Sequence, residues 1–239
     1  MALNERVLRD IHDEIFRQDD WGTPAQYIPE LACIPPRQFA ISVCLANGGC
    51  LNAGASDHPF SIQSVSKVFS LAATLGRIGD QLWSRVGREP SGTSFDSVVL
   101  LEREKGRPRN PFVNAGAIVT TDVLLAGRQP RQALAEILGL IRAMAESDQI
   151  HINEKVANSE KLTGARNKAL AHYLQSHGNL QNETRPDPWD LFSSMCNRDD
   201  HTAACSGRKI ACPPWDRSKR DVEATCPSHQ CTHDDLWPL

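Results

Sequence analysis

The segment Ser64-Val65-Ser66-Lys67 puts a hydroxyl and a primary amine three residues apart. On a helix such a pair shares one face, with about 5 to 6 Å between Cβ atoms, a spacing that suits proton exchange. Serine is a poor nucleophile until a neighbouring base accepts its proton, and a partly buried lysine can be that base. At a helix amino terminus the backbone N–H of the serine adds a donor for an oxyanion. The same S-x-x-K spacing arises by chance in many helices, where it is a solvated surface pair. Its neighbours must therefore decide its meaning.

A second set of side chains suits recognition of an amino acid. Glu160 offers a carboxylate to an ammonium, and Asn114 and Asn167 offer amide donors to a carboxylate and a carboxamide. Each polar group buried without a partner would cost about 1 to 3 kcal/mol, so a selective pocket has to supply such groups. All three also have a structural reading. An Asn after Asn-Pro-Phe-Val can satisfy a turn, and Glu160 and Asn167, seven residues apart, can share the solvated stripe of one helix. Gln63 and Tyr27 are further candidates to line a pocket.

These residues need elements to hold them. Val7, Leu8, Ile11, Ile15 and Phe16 fall at helical spacing, so residues 4–18 read as an amphipathic opening helix. Residues 38–46, an apolar and β-branched run, followed by Asn47-Gly48-Gly49 and residues 50–55, read as a hairpin. Residues 61–75 read as the helix carrying Ser64 and Lys67, with Gly76 as its stop. Asn110-Pro111 opens a turn into a helix ending near Gly127, and residues 130–146 form another. Residues 156–176 read as helical with a break at Gly164. A strand pair followed mostly by helices is an α+β pattern.

Composition excludes some classes. The 239 residues carry 26 Lys plus Arg against 29 Asp plus Glu, a formal net charge of -3. That balance leaves no electrostatic footprint for nucleic acid or an anionic membrane. The amino terminus is charged every few residues, and no run of eighteen apolar residues occurs. The expectation is a soluble cytoplasmic protein whose eight cysteines stay reduced.

Several longer strings agree with one family. Phe60 to Phe69 reads FSIQSVSKVF, Arg109 to Ala117 reads RNPFVNAGA, and Val156 to Ala169 reads VANSEKLTGARNKA. With YIPEL at 27–31 and VGREPSGTSFDS at 86–97, they resemble the serine-dependent glutaminases over about residues 4–183. The resemblance implies a serine β-lactamase/transpeptidase-like fold, a helical domain against an antiparallel sheet, with the S-x-x-K segment at their junction. It implies Ser64 as nucleophile, Lys67 as general base, and Asn114, Glu160 and Asn167 as ligands of L-glutamine. The reaction would pass through a glutamyl-Ser64 ester and release ammonia and then glutamate, with no metal or cofactor. Homo-oligomers are typical of the family.

The likeness stops near Glu183. Residues 185–239 hold few aliphatic side chains but six Pro, five Cys and three Trp, which supply no periodic apolar face. The family's later tyrosines and its K-S-G strand have no counterpart, and no tyrosine follows Tyr173. A change of reading frame near Ser194 is compatible with this, since a shifted reading of suitable codons returns family-like text. The expected division is a catalytic portion over 1–183, with an incomplete sheet, and an atypical disordered tail over 184–239. The alternative to an active glutaminase is a catalytically inactive, truncated or frameshifted remnant. Cys226, His229, Cys231 and His233 are metal-binding residue types, but C-x-x-H-x-C-x-H matches no common zinc pairing.

Overall fold

A computed structural model of the chain describes residues 3–182 and 198–200. The opening helix α1 (Glu5–Phe16) starts where the Asn4 side chain accepts from the Val7 N–H, satisfying one of the unpaired donors of a helix start. A short helix α2 (Pro29–Ala32) follows, and then strands β1 (Ala40–Cys44) and β2 (Cys50–Gly54) pair antiparallel with Ala40 opposite Gly54 and Cys44 opposite Cys50. A two-stranded hairpin is marginal in water unless it packs on something. Here α1 supplies that support. The His12 ring lies 4.5 Å from Phe16 and 6.0 Å from Phe39. The approach is closest at Gly54, with φ at +74°, where a Cβ would sit 2.5 Å from the His12 ring.

Strand β3 (Phe60–Ser61) leads into a 3-10 turn (Gln63–Val65) and then helix α3 (Ser66–Ile78). The chain continues through a second 3-10 segment (Gly79–Ser84), α4 (Val98–Arg103), α5 (Asn114–Leu125), α6 (Pro130–Ala145), β4 (His151–Ile152), α7 (Glu154–Thr163) and α8 (Ala165–Ser176). Strand β5 (Arg198–Asp200) lies between β3 and β4, antiparallel to both.

Helix α5 is the axis of the helical part. Every residue from Ala115 to Leu125 is buried, Thr120, Thr121 and Asp122 included. One side of it, with Leu124 and Leu125, joins Ile137 and Ile141 of α6 in one cluster; Ile118 and Val119 join Leu170 and Leu174 of α8 in another. Helix α3 packs on both α5 and α6. At its end, Arg77 donates to Val123 O at 2.9 Å and Leu124 O at 2.8 Å, two carbonyls in the last turn of α5, and pairs with Glu136 of α6 at 2.9 Å.

The end of the helical part is tied by a buried carboxylate. Asp122 of α5 is fully buried and accepts from Arg85 Nη2 at 2.6 Å, from the Gln181 and Asn182 N–H groups at 3.1 Å each, and from Asn182 Nδ2 at 2.8 Å. Arg85 in turn donates to Asn179 O at 2.6 Å.

Several expectations change. Gly76 does not stop α3, which runs on to Ile78 and ends at Gly79 with φ at +54°. Continuing the helix brings Arg77 over the end of α5. Ser64 lies in the 3-10 turn before α3 and not on the helix itself. Gly164 does break the 156–176 stretch, so Glu160 and Asn167 sit on different helices and do not share a stripe of one. Of the expected tail 184–239, only Arg198–Asp200 falls among the described residues.

Candidate active site

Three of the five singled-out residues form a hydrogen-bonded chain across three helices. Lys67, the second residue of α3, is 3% exposed. Its Nζ donates to Asn114 Oδ1 at 2.8 Å and to Phe112 O at 3.0 Å, and it lies 6.0 Å from the centre of the Phe95 ring. Asn114, the first residue of α5, donates through Nδ2 to Asn167 Oδ1 on α8 at 2.8 Å. Because the lysine only donates, Asn114 must turn its oxygen toward it and its nitrogen toward Asn167. Asn167 then receives a bond at its oxygen, and its Nδ2 is the next donor in line.

The turn before α5 sets this geometry. Asn110 Oδ1 accepts from the N–H groups of Phe112 at 2.9 Å and Val113 at 3.0 Å, and its Nδ2 donates to Glu89 O at 2.7 Å. The asparagine that satisfies the turn is thus Asn110, which leaves the Asn114 side chain to Lys67 and Asn167. Gly116 lets the turn lie against the first turn of α5, since a Cβ there would stand 2.0 Å from Asn110 O. The Phe112 carbonyl and the Phe95 ring beside Lys67 were not foreseen; the Asn-Pro turn signal pointed to the segment but not to the carbonyl it exposes.

Ser64 is exposed, immediately ahead of this chain. Gln63, the residue before it, has φ at +45°, an arrangement uncommon for a side-chain-bearing residue and found where a local geometry is enforced. Among the described residues no hydrogen bond joins Ser64 Oγ to Lys67 Nζ. Catalytic contacts are often long without substrate and tighten on binding. Glu160 is half-buried on α7, one helix before Asn167.

On the other side, Ser61 and Gln63 edge a groove of about 590 Å³ whose walls include Trp21, Pro24, Leu31 and Phe39. These walls are mostly apolar and suit the charged ends of an amino acid poorly. The polar chain on α3, α5 and α8 suits them better. Tyr27 is 71% exposed and outside this groove.

Burial pushes the Asp96 carboxyl upward, but hydrogen bonds from Arg166, at 2.9 Å, and from Ser94 outweigh it and hold the group below its ordinary value. Arg166 stands next to Asn167 at the start of α8. Among the described residues no cluster of three or more His, Cys, Asp or Glu could hold a metal ion. The four cysteine and histidine residues at 226–233 lie outside the described residues. No helix of the described part is long and apolar enough to cross a membrane.

The glutaminase family model matches residues 22–202. Curated glutaminases from Methylobacterium radiotolerans and Rhodopseudomonas palustris are 55% and 54% identical over 74% and 75% of this chain. The chain spans 57% and 58% of the length of those two relatives. A solved structure described as the probable glutaminase ybaS superposes with a TM-score of 0.74 at 33% identity, over 82% of this chain and 64% of the other. Mglu in its glutamate form gives 0.74 at 30% identity, over 83% and 45%. The fold is α+β, of the serine β-lactamase-like kind shared with these glutaminases. By sequence and by structure, the chain belongs to the glutaminase family.

Proposed function

We propose that this chain hydrolyses L-glutamine to L-glutamate and ammonia, with Ser64 as the nucleophile. The observation that carries the reading is the chain of hydrogen bonds from buried Lys67, three residues after the exposed Ser64, through Asn114 to Asn167. Ser64 Oγ attacks the side-chain carboxamide carbon while its proton passes to Lys67. The Asn114 and Phe112 oxygens hold the Lys67 amine near the start of α3 for that transfer. The tetrahedral oxyanion is met by the backbone N–H of Ser64 itself. Collapse expels ammonia with the proton returned by Lys67, leaving the glutamyl ester, and water then releases glutamate and restores Ser64.

The substrate's charged ends are assigned to the remaining residues. Asn167 Nδ2, aligned by the Lys67–Asn114 chain, donates to the α-carboxylate, and Glu160 takes the ammonium. Membership of the glutaminase family supports the enzyme reading over that of an inactive remnant. The division into a catalytic portion over 1–183 and a separate tail belongs to the same proposal. So do a cytoplasmic setting, which the charge-dense composition supports, and self-association, which the exposed Phe60, Val65 and Val68 beside the site support.

Ammonia release from L-glutamine by the purified chain tests the proposal, with Ser64→Ala and Asn167→Ala in parallel. Ser64→Ala should lose about 10³-fold or more in kcat with an unchanged melt, and Asn167→Ala should raise KM more than it lowers kcat. Turnover that survives Ser64→Ala removes Ser64 from the mechanism.

A further inference from the structure

Outside the site, the two hairpin cysteines stand out. Cys44 closes β1 and Cys50 opens β2, and the register sets them directly opposite one another. Their Sγ atoms are 3.2 Å apart, both thiols being unbridged. Directly opposed residues of an antiparallel pair have Cα atoms about 4.5 to 5.5 Å apart, inside the range that a disulfide spans without backbone movement. Ala40, Ser42 and Cys44 form the more exposed side of β1, so reagents reach Cys44 from solvent, while Cys50 is half-buried beside it. One residue toward the turn, the Leu45 N–H donates to Gly49 O at 2.8 Å, and Gly48 with φ at +83° closes the turn. The hairpin therefore holds the thiols together.

We propose that Cys44 and Cys50 are a modification site: a dithiol that a hydroperoxide converts to a disulfide across the turn end of the hairpin. The Cys44 thiolate attacks the peroxide, breaking the O–O bond, forming a sulfenic acid and releasing water or an alcohol. The Cys50 thiolate then attacks that sulfur, forming the S–S bond and displacing hydroxide, which takes up a proton to become water. Two thiols lose two electrons and one peroxide gains them. A thiol reductant reverses the step.

The full-length reduced chain, treated with hydrogen peroxide and digested with trypsin without reduction, reads this out. The peptide Gln38–Lys67 holds Cys44 and Cys50 and no other cysteine. It should become about 2 Da lighter, the two hydrogens lost on closing a disulfide, and regain that mass with reductant. The same reaction in concentrated urea should run several-fold slower, because the hairpin no longer sets the thiols side by side. A single-cysteine variant, Cys50→Ser, should stop at oxygen adducts on Cys44. Oxygen adducts without the cross-link in the parent, cross-links from this peptide to the other six cysteines, or equal rates in urea would each overturn the proposal.

Discussion

The helical part around α5 and the hairpin β1–β2 are built on opposite principles. Helix α5 is buried from Ala115 to Leu125, whereas no residue of β1 is fully buried and three of its five are exposed. The helical part fixes its polar groups by burying them against one another, as at Lys67, Asn114 and Asp122. The hairpin relies on main-chain pairing and on the single helix α1 packed against it. Ser64 lies in a short turn, within neither element. The buried side aligns the amides of Asn114 and Asn167.

The comparison makes an ordered set of predictions. The largest effect belongs to Asp122→Ala, which would strand Arg85, only 12% exposed at its side chain, and the Gln181 and Asn182 N–H groups. Removing one partner of a buried pair costs about 3 to 5 kcal/mol, so the urea midpoint should fall sharply or the cooperative transition vanish. A loss below about 1 kcal/mol, the value of an exposed pair, would break the contrast between the two regions.

Next comes a matched pair of truncations. Ile118→Ala, at a fully buried position of α5, should cost about 2 to 5 kcal/mol. Val43→Ala in β1, at a half-buried position, should cost about 1 kcal/mol or less, since less apolar area leaves water. Chemical denaturation of both variants checks the ratio. Equal costs would mean that the hairpin is as much a part of the core as α5.

The smallest effect is electrostatic. Asp96, whose carboxyl is held below its ordinary value by Arg166 and Ser94, contributes stability that is fully present above the unfolded carboxylate pKa and is lost as pH falls through the folded one. Its side chain is 35% exposed and that of Arg166 65%, so solvent screens the pair. Asp96→Asn should cost a few tenths of a kcal/mol at neutral pH and progressively less as pH falls below the ordinary carboxylate range. Urea midpoints across that pH range measure the difference.

What was legible in the sequence follows the same divide. Helix α1 shows its period because one side faces water, and the hairpin announces itself through Asn47-Gly48-Gly49. The break at Gly164 was readable from glycine's low helix propensity. Gly76 misled for the same reason: an exposed glycine is tolerated inside a helix when the next residue, Arg77, has carbonyls to cap. Strand β5 was illegible, since Arg-Asp-Asp carries no strand period and its place rests on main-chain pairing with residues far away in sequence. Within the site, the residue types at 64, 67, 114 and 167 suggested the chemistry. Their alignment was not visible, because it depends on a helix break, a turn asparagine and the carbonyl of Phe112.

The chain of bonds through Lys67, Asn114 and Asn167 also couples the site to the order of folding. Its two links close separations of 47 and 53 residues, and contacts of that range form only after the entropy of large loops has been overcome. Helix α5, with twelve residues, is too short to persist alone in water. The Asn114 and Asn167 amides are therefore aligned only when α3, α5 and α8 have docked. Under the proposed function, partly folded chains would carry Ser64 without that alignment, and ammonia release would count the molecules that have completed their core.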